Sequence, residues 1–404
     1  MYRKLNENYF IQGVKKLKKQ LNAAIGIVLV LGMGGTCFAQ SGTAEAAAGT
    51  SDVSAGTIDT GSTRSLTFDE VLGSIEKNNK EIQMYDQKIL LYQRQFDRDH
   101  QNAMLNSDKD PVNFPPGQYA SVKIAIDVVP KQDEQNIKNA KHDREDALQD
   151  LKFSAEQQYL NAVNAEDQIA NINAQIANTD KKIAQTKIKI QYGQLTNDAL
   201  QSLEVQKSQL EASLNTPKSQ LQQCELNVKQ IINMDLNTGI KLTLPASKQF
   251  VKFDDSNIQA GIDNAVNNSY DMEKIIQNIA VLNIQEGIYK QYSYNDATGE
   301  VNTGLSIEDL RNNLYNTQLN LRINLWDSYY SLKNSEDLVN TENVKVQNAQ
   351  LNYDNTSAKV KAGALTQLDL DSAELALQSE KINLKNAEDN YMVASEKFQY
   401  DLSK

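Results

Sequence analysis

Ile169, Ile176, Ile183 and Ile190 are spaced seven residues apart, and about 170 residues later Val339, Val346, Tyr353 and Val360 repeat the spacing. A sustained seven-residue apolar repeat keeps one seam of a helix against a partner and specifies coiled-coil packing. Two copies of such a seam in one chain constrain the fold more than any other feature. The same shift superposes Ile137 on Ile307, Leu151 on Leu321, Phe153 on Ile323 and Tyr159 on Tyr329. It also superposes Gly193, Leu195 and Thr196 on Gly363, Leu365 and Thr366, and Leu214 on Leu384. Earlier in each copy, Asn78 and Asn79 match Asn267 and Asn268 at a shift nearer 190, so the first copy carries about 20 extra residues between its first and second helices.

Each copy therefore reads as three long helices. The expected spans are 67–106, 134–192 and 196–234, then 255–292, 306–362 and 366–402. At about 1.5 Å per residue the middle helix of each copy is roughly 85 Å long, more than a compact core needs. Beyond Gly193 the seam continues through Leu200, Leu214, Leu221 and Val228, interrupted by Lys207; beyond Gly363 it continues through Leu370, Leu377, Leu384, Tyr391 and Phe398. Pro217 lies inside an expected helix and should kink or interrupt it. Cys224 occupies a seam position and reads as a small core residue. The fold class is mainly α: long antiparallel hairpins in two tandem repeats, 65–245 and 246–404. A small β element is expected at 119–129, where Val122, Ile124, Ile126 and Val128 alternate with Ser121, Lys123, Ala125 and Asp127 after Pro115 and Gly117. Leu319, Leu321, Ile323 and Leu325 also alternate, but their repeat partners read as helix, and so do they.

The N-terminus reads as an export signal cleaved after Ala39. Arg3, Lys4, Lys15, Lys16, Lys18 and Lys19 precede an apolar run from Ala23 to Met33, and Cys37-Phe38-Ala39 supplies the small-x-small site. Residues 40–64 are Ser, Gly, Thr and Ala with few bulky apolar side chains, and read as a disordered linker.

Composition narrows the function. Two His and two Cys in 404 residues give little material for a metal site, and no metal or cofactor is expected. A net charge of −11 offers no footprint for nucleic acid. A mean hydropathy of −0.56 excludes a polytopic helical membrane protein. No Gly-rich phosphate loop occurs, and His100 and His142 stand in no catalytic motif, so no enzyme activity is expected.

Gly363, with Asp369 six residues on and Ala373 ten on, followed by Leu377, Leu384 and Tyr391, resembles the tip motif of the TolC family of outer-membrane efflux proteins. Gly193 to Leu200 is a weaker copy, with the aspartate displaced to Asp198 and Leu203 in place of the alanine. Phe68, Asp69 and Glu70 through Asn78, Asn79 and Ile82 resemble the family's opening helix. The resemblance implies a homotrimer in the cell envelope whose helices form a hollow duct, engaged at its tip by a periplasmic adaptor protein and an inner-membrane pump. It places the adaptor contact at Tyr192, Gly193 and Leu195, and at Ala362, Gly363, Leu365 and Thr366. Glycine also turns a chain cheaply between two helices, which leaves the neighbouring leucine exposed. Asp369, Asp371 and Glu374 are candidates for acidic rings in the duct, although Asp369 and Asp371, two apart on a helix, cannot share one face; a charge favoured by the helix N-terminus is the competing role. Family members with a membrane barrel supply two strands per repeat, and a spanning strand needs about 9–11 residues. Here only 119–129 and a short hairpin at 293–305 are offered, so membrane contact through a barrel is in question. The alternative is a coiled-coil structural protein of the envelope that conducts nothing.

Overall fold

The computed structural model describes residues 64–115, 117–243, 248–293 and 297–404. The expected signal segment and linker lie outside the described residues, except Arg64. The elements in chain order are β1 (Arg64–Leu66), α1 (Phe68–Asn78), α2 (Lys80–Asn106), α3 (Gln118–Asp127), α4 (Val129–Gln191), α5 (Asn197–Ser213), α6 (Asn215–Ile231), β2 (Ile240–Leu242), α7 (Ile258–Asn268), α8 (Tyr270–Tyr292), α9 (Thr298–Lys361) and α10 (Gln367–Ser403). A 3-10 turn, Pro111–Asn113, lies between α2 and α3.

The tandem repeat is structural. The 63-residue α4 and 64-residue α9 are each roughly 95 Å long and end at equivalent glycines. Each doubles back as a hairpin, α4 with α5 and α6, α9 with α10. Each repeat has its own core. In the first, Val71, Ile75, Leu148, Tyr159, Cys224 and Val228 pack with Leu66 and Leu242 of the parallel pair β1–β2. The Tyr159 hydroxyl donates to the carbonyls of Leu66, at 3.1 Å, and Thr243, tying the two strand ends to α4. In the second, Ile262, Val266, Leu332, Val339, Tyr391 and Phe398 pack with Phe250, Phe253 and Trp326. The Tyr391 hydroxyl accepts from the Phe253 amide at 2.8 Å.

Several expected helices are broken, for local reasons. The first helix of each repeat splits at Asn79 and at Ser269, both with ψ near 130°. Asn79 Oδ1 accepts from the amides of Glu81 and Ile82, and Ser269 Oγ from that of Asp271, so each break starts a new capped helix. The Pro217 interruption is present: α5 ends at Ser213 and α6 starts at Asn215, since the proline ring cannot donate to or pack against the carbonyl four residues back. Pro130 separates α3 from α4 at Val128 in the same way.

The expected strand at 119–129 is instead α3. Gly117, at φ 83°, turns the chain, and Ala120, Ile124 and Val128 then line one helical face against Val281 and Ile288 of α8. These positions are four apart. The β-branched alternation concealed a helical stripe, and among the described residues no neighbouring strand pairs with it. The short hairpin expected at 293–305 is also corrected, because α9 is already helical from Thr298; residues 294–296 lie outside the described residues. Among the described residues the strands are three residues long, and no helix is long and apolar enough to cross a membrane.

Candidate functional site: the paired hairpin tips

Both hairpin tips are built by one device. At the first, Tyr192 ends α4, Gly193 adopts φ 67°, its amide donates to Ile190 O at 2.9 Å, and the Gln194 amide donates to Lys189 O at 2.9 Å. At the second, Ala362 ends α9, Gly363 adopts φ 72°, its amide donates to Val360 O at 2.9 Å, and the Ala364 amide donates to Lys359 O at 2.9 Å. This is the two-bond Schellman closure, with a left-handed residue just past the helix that glycine occupies without steric cost. Two residues on, Leu195 and Leu365 lead into Thr196 and Thr366, the N-cap positions of α5 and α10.

The sequence-predicted tip residues thus form two equivalent loops. Tyr192, Gly193, Leu195, Ala362, Gly363, Leu365 and Thr366 are all exposed, Tyr192 by 77% and Leu195 and Leu365 by about 40%. A Cβ built at either glycine meets nothing within 4 Å, so what fixes glycine there is the backbone angle, not crowding.

The three acids part company. Asp369 closes the N-terminus of α10: its carboxylate accepts from the Thr366 amide at 3.0 Å and the Thr366 hydroxyl at 2.7 Å. These bonds, with Lys182 at 3.7 Å, hold its carboxyl below the usual range. Asp371 accepts from Gln367 at 2.9 Å. Glu374 is exposed and makes no hydrogen bond among the described residues. At the first tip Ala199 stands where Asp369 would, and Thr196 lacks a side-chain cap bond. The displaced Asp198 therefore has a structural consequence, since one hairpin starts its return helix capped and the other does not.

A feature that the apolar pattern did not show is the face joining the two repeats. Asn164, Asn171 and Asn178, again seven apart, are buried on α4. Asn164 Nδ2 donates to Asn386 Oδ1 of α10 at 3.1 Å, and Asn178 Nδ2 to Ser372 Oγ at 2.9 Å. The spacing was legible, but it lies one face away from the isoleucine seam.

No protein-family model and no curated protein matches this sequence. Solved structures do match. CusC aligns over 83% of this chain and 91% of its own, at 12% identity and a TM-score of 0.61. The outer membrane channel CmeC of Campylobacter jejuni aligns over 83% and 85%, at 12% identity and a TM-score of 0.59. The outer membrane protein VceC of Vibrio cholerae aligns over 83% and 94%, at 10% identity and a TM-score of 0.54. The fold is that of the TolC family. Within this TolC fold the two glycine tips are the points where the chain reverses between its longest helices.

Proposed function

We propose that the chain is the passive exit duct of a three-part efflux system: a homotrimer in the cell envelope, engaged at its hairpin tips by an adaptor protein and an inner-membrane pump. The observation that carries this reading is an open layer of helices with two unsatisfied edges. At the tip end α5 packs on α4, α4 on α10, and α10 on α9. At the other end α2 packs on α4 and α8 on α9. The outer edges carry apolar side chains at heptad spacing, each row interrupted once by a charge: Ile323, Tyr330, Val344 and Leu351 on α9 with Asp337 between, and Met84, Leu91 and Leu105 on α2 with Arg98 between, the apolar ones all more than half exposed. Unlike edges of this kind bury each other when copies associate head to tail, and such contacts close into a ring when the rotation between copies divides a full turn. The likeness to outer membrane channels supports a ring around a lumen. The duct performs no chemistry; the pump supplies the energy.

In this reading Tyr192, Leu195 and Leu365 are the apolar contacts offered to the adaptor, and Gly193, Ala362, Gly363 and Thr366 shape them. Glu374 is the acid best placed to face a lumen, since Asp369 and Asp371 are engaged locally. Native mass spectrometry and planar-bilayer conductance test the proposal together: a trimer that conducts supports it, and a monomer removes it. A second reading, a non-conducting envelope scaffold, is favoured by the three-residue strands, far below the roughly 9–11 residues of a spanning strand. A trimer without conductance selects it.

A further inference from the structure

The face between α4 and α10, which joins the first repeat to the second, contains a carboxyl without a cation. Asp389 is 1% exposed. Its Oδ2 receives a long bond, 3.4 Å, from Asn164 Nδ2, and its Oδ1 has no hydrogen-bond partner among the described residues. Asn164 is 2% exposed, and its own Oδ1 also lacks a donor. Two neighbouring buried side chains thus each hold an acceptor that has no donor among the described residues.

The two cations near this pair are bonded to other carboxylates, Glu388 adds a like charge, and the Lys248 backbone amide faces the Asp389 carboxyl. From α4 come Glu156 and Asp167, from the connector before α7 comes Lys248, and from α10 come Lys385, Glu388 and Glu396. Lys248 Nζ bridges Glu156 and Glu396, the latter at 2.6 Å, and Lys385 Nζ reaches Asp167 at 2.9 Å. An ionised carboxylate buried without a bonded cation is costly, and a proton supplies a donor where the described residues offer none.

We propose that Asp389 is a protonation-controlled catch between the two repeats. Protonated, it donates to the donor-less oxygen of Asn164 and holds α10 against α4; ionised, it leaves acceptor facing acceptor and loosens the junction. Burial pushes this carboxyl above its ordinary range, while Asn164, Lys385 and Lys248 draw it back without cancelling the effect. A raised carboxyl contributes stability that is complete below the unfolded aspartate value and is lost as pH rises through the folded value. The junction therefore tightens on acidification. The inference stands on the packing of a single chain and is independent of the duct reading.

The test is hydrogen exchange of the full chain, followed by mass spectrometry over residues 386–394 from pH 4 to pH 8 and corrected for the intrinsic rate. In the wild type, protection falls by about tenfold for each pH unit by which the folded carboxyl lies above the unfolded one. Asp389→Asn, neutral at every pH, stays protected and flat. Infrared spectroscopy of the wild type shows a protonated carboxyl band that Asp389→Asn lacks, a readout that does not depend on how well the variant folds. An unchanged pH response in Asp389→Asn, the same infrared band in both proteins, or protection that follows added Ca²⁺ or K⁺ rather than pH would each overturn the proposal.

Discussion

At the residue scale, Gly363 and Asp369 show how the second tip is fixed. Gly363 sits at φ 72° with open space where a Cβ would point, so Gly363→Ala introduces backbone strain alone, about 1–2 kcal/mol. A thermal melt should show that loss, and the same loss for Gly193→Ala. Asp369→Ala removes both bonds to Thr366 and should cost about 1 kcal/mol at neutral pH. Its carboxyl is held below the ordinary range, so its contribution is present above the unfolded aspartate value and disappears as pH falls through the folded one. Wild type and Asp369→Ala should therefore converge in stability in acid. A difference that persisted in strong acid would mean that the cap is not what Asp369 provides. Cys224 makes a contrasting case. It is 3% exposed and burial pushes its thiol up to about 11, so a thiol reagent at neutral pH should label it only after the chain is denatured.

At the element scale, what was legible in the sequence follows from which interactions are local. The long helices, the glycine reversals and the Pro217 break each depend on residues within one or two turns, and the heptads displayed them. The breaks at Asn79 and Ser269 were written in N-cap residues, yet an apolar stripe that ran across them hid the discontinuity. The α3 segment was misread because Val122, Ile124, Ile126 and Val128 satisfy period two while Ala120, Ile124 and Val128 satisfy period four. Only the packing of α8 against the second set decides between them. The tip loops were placed by their glycines, whereas the division of labour among Asp369, Asp371 and Glu374 required knowing which oxygen each amide reached. The asparagine line on α4 carries no apolar signal, since a polar side chain reads as surface until its buried partner is known. That line has a measurable consequence. Asn171 is 7% exposed, and its Oδ1 has no partner among the described residues. Leaving such an atom unmet costs about 1–3 kcal/mol, so Asn171→Leu should raise the denaturation midpoint. Asn178→Leu, which forfeits bonds to Ser372 and to the Leu368 carbonyl, should gain less or lose. A lower midpoint for Asn171→Leu would mean that the amide oxygen is satisfied in solution.

At the scale of the whole molecule, the two hairpin units bury their inner faces and leave an apolar line on the outer side of α9. Val339, Leu332 and Phe398 fill the second core, while Ile323, Val344 and Leu351 are 56–62% exposed and Tyr330, 58% exposed, stacks on Trp326 at the margin of that core. Four large apolar groups at heptad spacing on α9, broken only by Asp337, exceed what scattered surface residues explain, and they are the strongest argument that the chain functions in company. The two faces of one helix can be separated by mutation. Val344→Glu and Leu351→Lys together should convert the proposed trimer to monomers, because each places a charge where a neighbouring copy's apolar edge would lie. The same pair should leave the melting transition of the isolated chain within about 0.5 kcal/mol of the wild type, since neither side chain touches the core. Leu332→Ala, on the inner side, should do the reverse and destabilise every chain by about 2–5 kcal/mol. Analytical ultracentrifugation and circular dichroism on the two variants distinguish these effects. An oligomer that survived the outer pair would place the contact on another face of the helical layer, and with it would go the head-to-tail ring on which the duct depends.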